Sequence, residues 1–145
     1  METILISACL VGDKTRYDGR GAYHPITAKL LTKYDLVPFC PEVEGGLRIP
    51  RPKAERVDNK VITIAGKDVT HHFEKGADKV INIIKYLGIK KAILKENSPS
   101  CGVHQIYDGS FSETLVSKPG ILTEVLIKSG VTVYTPDEFL KLLDE

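Results

Sequence analysis

The sequence predicts a three-layer α/β domain: a parallel sheet, helices on both faces and a small inserted β-arm. Three observations predict it. Short apolar runs alternate with helical stripes along the chain, an order that favours a parallel sheet. The apolar runs lead into polar loops that carry Gly, Pro or Ser. The 145 residues amount to one domain, 1–145, and a domain of that size buries roughly 70% of the surface its unfolded chain exposes. Right-handed crossovers leave few topologies. In such a Rossmann-like sheet a ligand sits outside the carboxyl ends of the strands, at a switch point.

Each element has its own justification. Ile4-Leu5-Ile6 is a buried first strand, and residues 12–23, rich in Gly, Asp and Arg, form a loop. Ile26, Leu30 and Leu31 share one face of a helix over about Pro25 to Lys33. Leu36 to Phe39 is a second strand, whose Pro38 points to a sheet edge or a strand end. Residues 40–56 hold Pro41, Pro50, Pro52 and Gly45-Gly46, a long irregular loop of the functional kind. Val61 to Ile64, followed by Ala65-Gly66, is part of a hairpin arm. Thr70 then caps a helix whose stripe is Phe73, Ala77, Val80, Ile81, Ile84 and Leu87, and Gly88 stops it. Lys91 to Lys95 is a strand, 96–112 a loop, Gly120 to Lys128 a helix and Val131 to Tyr134 a strand. Thr135 caps the last helix, with Pro136 at its first position.

The composition is that of an ordinary globular chain. A net charge of +1 leaves no electrostatic footprint for a long polyanion, which disfavours a nucleic-acid partner and favours a small molecule. The N-terminal apolar run is too short for a membrane span and lacks the basic start of a signal peptide, so a cytoplasmic location is expected. Oligomeric state leaves no mark in the sequence.

Three cysteines are an odd number for a disulfide framework; in a reducing compartment they point to ligands, a nucleophile or small core residues. Cys9 follows strand one, Cys40 follows strand two, and Cys101 lies in the loop after Lys95. In a parallel sheet these three loops leave from one edge, so the thiols can meet where this architecture binds its ligand. Soft sulfur donors select an iron–sulfur cluster, zinc or Cu(I). A cluster held by three cysteines leaves one iron open as a Lewis acid. No CxxC pair is present, so local spacing adds no metal signal. Three buried hydrophobes, or a single nucleophilic cysteine, explain the same residues.

The neighbours of the cysteines carry chemistry. Cys40-Pro41-Glu42 puts a carboxylate two positions from a candidate ligand, a placement suited to general acid–base work; a solvated loop charge is the alternative. Ser98-Pro99-Ser100-Cys101-Gly102 surrounds another with hydroxyls, although Ser and Pro also punctuate ordinary turns.

The segments ISACLVG, RYDG, CPEVEGGLRIPRPKAE, GKDVT, ILKENSPSCG and IYDGSFS together resemble the 2-thiouracil desulfidase family over roughly residues 3–135. The resemblance implies a [4Fe–4S] cluster held by Cys9, Cys40 and Cys101, whose unique iron captures the sulfur of a thiolated pyrimidine. It implies a hydrolytic desulfuration without net redox change, with Glu42 as the acid–base group and Ser98, or else Ser100, assisting. Many members of the family carry a further cysteine where this chain has Thr15, so that thiol is dispensable here.

Arg16, Tyr17 and Asp18 shape the site or bind substrate, or else form a turn with an ion pair. Arg51 and Glu55 pair with each other or orient their loop. His71 and His72 open a helix as solvated residues, and His104 lies near the site. Desulfuration of thiolated tRNA is the second enzymatic reading. A non-enzymatic carrier of a cluster or of sulfide is the third.

Overall fold

The computed structural model describes residues 1–144. Four parallel strands form the central sheet: β1 (Glu2–Ser7), β2 (Tyr34–Phe39), β5 (Lys91–Ile93) and β8 (Thr132–Tyr134), in the order β2-β1-β5-β8. Ile4 pairs with Leu36 on one side of β1, and Ile6 with Ile93 on the other. The expected edge strand is β2, where Pro38 has no second neighbour to disappoint.

Alternation along β1 creates the two outer layers. Leu5 packs with α3 (Thr70–Leu87) and α4 (Ile121–Lys128) through Phe73, Val80 and Leu126. Ile4 and Ile6 face the other way, onto α1 (Ile26–Leu30) and α5 (Pro136–Leu143) through Leu30 and Phe139. The inserted arm is a hairpin of β3 (Ala54–Val57) and β4 (Lys60–Thr63). A second antiparallel pair, β6 (Ile106–Tyr107) and β7 (Leu115–Val116), lies within and just beyond the segment expected to be loop.

Three local expectations change. The loop 40–56 contains a one-turn helix, α2 (Pro41–Glu44), with Cys40 at its N-cap and Pro41 at its first position. Proline suits that position because its missing N–H would have no partner there anyway. Thr70 is the first residue of α3 rather than its cap; its hydroxyl accepts Val61 N–H, and Asp68 accepts Thr70 N–H. α1 is shorter than its apolar spacing suggests. Thr135 and Gly88 behave as expected: Thr135 forms a reciprocal capping box with Glu138, and Gly88 is left-handed at φ 67.

α2 crosses α3 at very close range. A Cβ on Gly76 would collide with the Pro41 carbonyl, and one on Gly45 with the His72 carbonyl. The two glycines let the start of α2, which carries Cys40 and Glu42, sit directly against α3.

Candidate metal centre

The carboxyl ends of β1 and β5 flank the crevice of the sheet. Ser7 Oγ accepts the Lys95 N–H at 2.9 Å and ties them together. A cavity of about 290 Å³ opens there, and Cys9, Cys40 and Cys101 all line it. Cys9 sits in a tight 3-10 turn, Ala8–Val11, directly after β1. Cys40 begins α2, and its thiol donates to the Thr15 carbonyl at 3.8 Å. Cys101 lies in a loop that Glu96 organises: Oε1 accepts Val103 N–H at 2.6 Å and His104 N–H at 3.1 Å.

All three thiols are free, and their surroundings keep them protonated. Burial pushes Cys9 up to about 11, with Lys95 pulling against it. Burial pushes Cys101 up to about 12, against hydrogen bonds from Ser100 and Ser7. Burial raises Cys40 too, opposed by the backbone N–H of Val43 at the start of α2. The three also act on one another electrostatically, Cys40 on Cys9 and both on Cys101. Among the described residues, no three His, Cys, Asp or Glu side chains gather tightly enough to hold one metal ion. Three thiols that share a cavity without converging on one point suit a cluster, in which each sulfur binds a different iron, better than a zinc or copper ion. The donor set therefore fits an iron–sulfur cluster.

Beside the thiols lies a carboxylate–hydroxyl system. Ser100 Oγ donates to Glu42 Oε2 at 2.7 Å, Ser98 Oγ lies 3.3 Å from the same oxygen, and the two hydroxyls are 2.9 Å apart. Ser100 Oγ also lies 3.6 Å from Cys101 Sγ. Each serine has one proton to donate, so the chain can switch direction without moving heavy atoms. Ser98 also serves the turn, accepting the N–H groups of Ser100 and Cys101. Glu42 Oε1 accepts Arg51 Nε at 3.2 Å.

Glu42, Ser98, Ser100, Arg16 and Tyr17 line the cavity. Asp18 does not; it faces Arg16 at 3.7 Å and accepts Arg20 N–H. Of the two readings of Arg51 and Glu55, loop orientation is the one seen: each residue ties loops together, and the mutual pair does not form. Arg51 turns to Glu42, while the buried Glu55 accepts Gly109 and Phe111 N–H in the loop beside the arm. His104 pairs with Glu138 at the surface, and His72 contacts the Gly45 carbonyl. Sequence reasoning missed Glu96, Lys95 and the aromatic walls Phe39 and Tyr107. For Lys95 and Glu96, just after β5, and Phe39, at the end of β2 beside Cys40, that position was the available signal; Tyr107, in β6, carried none.

A Rossmann-like sheet with two buried thiols, a half-buried third and a carboxylate at its switch point defines a cluster-binding α/β protein. The family model described as 2-thiouracil desulfurase matches residues 4–138. The chain belongs to the 2-thiouracil desulfurase family. It is 35% identical over 150 residues to an uncharacterized protein, YbbK of Bacillus subtilis (strain 168), covering 97% of this chain and 99% of that one. The solved structure described as the [4Fe-4S]-dependent thiouracil desulfidase TudS matches with a TM-score of 0.93 at 39% identity, covering 99% of this chain and 96% of that chain.

Proposed function

We propose that this chain is a [4Fe–4S]-dependent desulfidase that converts thiouracil, or a related thiolated nucleobase or nucleotide, to the oxo product and sulfide. The observation that carries this reading is the Glu42–Ser100 pair set in the same cavity as the three thiols. A carrier needs ligands alone; a hydrolase also needs a group to take and return protons. The family match and the likeness to the thiouracil desulfidase support it.

The net reaction exchanges a thiocarbonyl and water for a carbonyl and hydrogen sulfide, so electrons balance without an oxidant. Bound by Cys9, Cys40 and Cys101, the cluster supplies a soft Lewis-acidic iron with an open position for sulfur. Glu42 Oε2 takes a proton from the water attacking the thiocarbonyl carbon. Ser100 Oγ and Ser98 Oγ hold that proton within reach of the departing sulfur, and the second proton of the water follows as the carbonyl forms. Phe39, Tyr17 and Tyr107 supply faces for a flat pyrimidine, and Arg16, held by Asp18 and lining the same cavity, is the cation available to its polar edge. One domain, residues 1–145, carries every group. The net charge of +1 favours a small molecule over tRNA. No helix among the described residues is long and apolar enough to cross a membrane, and three free thiols suit a reducing, cytoplasmic setting.

Anaerobic reconstitution followed by single-turnover kinetics tests this. Iron and sulfide in the ratio of a [4Fe–4S] cluster, with oxo product and released sulfide in equal amounts, are expected. Glu42→Gln should keep the cluster and lose roughly 10²–10⁴-fold in rate, the usual worth of a positioned acid–base group. A cluster-replete wild type that releases no sulfide from 2-thiouracil or its nucleotide would leave the carrier reading.

A further inference from the structure

Arg51 is almost fully enclosed, with a side-chain exposure of 6%. Its guanidinium is used on three sides: Nε to Glu42 Oε1 at 3.2 Å, Nη1 to the Arg48 carbonyl at 3.2 Å and Nη2 to the Thr15 carbonyl at 2.9 Å. Its backbone N–H donates to the Tyr17 carbonyl as well. One residue thus joins the segment after α2 to the loop after β1, and both to the carboxylate.

Two consequences follow from these contacts. A carboxylate is planar, so a donor fixed on Oε1 determines where Oε2 points. The serines occupy Oε2, and Arg51 therefore sets the direction along which Glu42 meets them. The second concerns Thr15, whose carbonyl accepts from the Cys40 thiol and from Arg51. A ligating cysteine is a thiolate and has no proton to donate, so Arg51 is then the donor left on that carbonyl.

We propose that Arg51 is the positioning residue of the reaction centre, orienting the Glu42 carboxylate and holding the Thr15–Tyr17 loop closed beside Cys40. This rests on the reading of Glu42 as the acid–base group. Lysine cannot replace it. An ammonium is a single donor point, whereas these contacts need a planar fork reaching three acceptors in different directions.

The test compares Arg51→Met, Arg51→Lys and Glu42→Gln in reconstituted enzyme, with iron content measured on every sample. Both Arg51 variants should keep the cluster and lose roughly 10²-fold in kcat, the scale of a misplacement of about 1 Å, with KM changed less than about threefold. Added guanidinium should restore turnover to Arg51→Met and not to Arg51→Lys. Hydrogen exchange in the apoprotein should quicken over residues 12–20 in Arg51→Met and stay unchanged in Glu42→Gln. A cluster-replete Arg51 variant within about threefold of wild type, or a loss of turnover that only tracks loss of iron, overturns the inference. If Arg51→Met does not fold, Arg51→Lys decides alone. Glu42→Gln with wild-type turnover would instead sink the acid–base reading itself.

Discussion

A buried thiol without a base beside it is a poor nucleophile, and that is how this chain holds Cys9 and Cys101. Their surroundings favour the neutral form until a metal displaces the proton. The same environment makes the apoprotein sensitive to alkali. An unfolded thiol titrates near 9.0, whereas Cys9 titrates at about 11 and Cys101 at about 12 in the fold. Below pH 9 both states are protonated and the full stability is present. Above it the unfolded chain loses protons first, so stability falls as pH rises towards the folded values. Thermal melts of reduced apoprotein should therefore decline from about pH 9 upward, and less steeply in Cys101→Ala. A flat profile would contradict the buried thiols. That the cysteines, Glu42 and the serines gather about one cavity was legible in the sequence, from the strand order and from the pattern of their segments. Arg51 was visible in the same segment, but its partner was not: which carboxylate it meets depends on where α2 places Glu42.

At the scale of elements, the contact between α2 and α3 sets where Cys40 and Glu42 stand. An alanine at Gly76 would improve the intrinsic helix propensity of α3 by about 1 kcal/mol. Its Cβ would also collide with the Pro41 carbonyl, and that collision involves backbone, which cannot rotate away. The clash should dominate. Gly76→Ala is expected to lower the melting temperature and to displace the start of α2, costing cluster content through Cys40. Circular dichroism and iron analysis check this; a variant with wild-type iron would show that α2 has slack. The stripe of α3, the edge role of β2 and the capping box of α5 were readable because periodicity and caps are local signals. α2 was not, since a single turn has no periodicity and three nearby prolines read as irregular chain. The role of Gly76 was hidden for a different reason: a close helix approach is a property of two elements.

For the whole molecule, the sheet order matters most. β1 and β5 are adjacent in space although more than eighty residues separate them in the chain. The alternation of strands and helices was enough to anticipate one edge for the three thiols. It did not reveal β6 and β7, whose two-residue strands lie below what a pattern can resolve. A group bound only by the folded state stabilises it by mass action, so the cluster-loaded protein should melt well above the apoprotein. Equal melting temperatures would mean that the cluster contributes nothing to the fold.

The wide spread of the three candidate ligands, from residue 9 to residue 101, has a consequence for biogenesis. A compact cysteine motif can seize iron while its chain is still being made. Here Cys9 and Cys40 leave the ribosome long before Cys101, and β5 cannot lie down beside β1 until the arm and α3 have passed. No nascent segment offers a complete receptor. Cluster loading is therefore expected only after Cys101 has emerged and β5 has joined β1. Apoprotein refolded first and then given iron and sulfide should load fully. Chain held in urea with the same reagents and then diluted should load less, because scattered thiols would have captured iron in the wrong company.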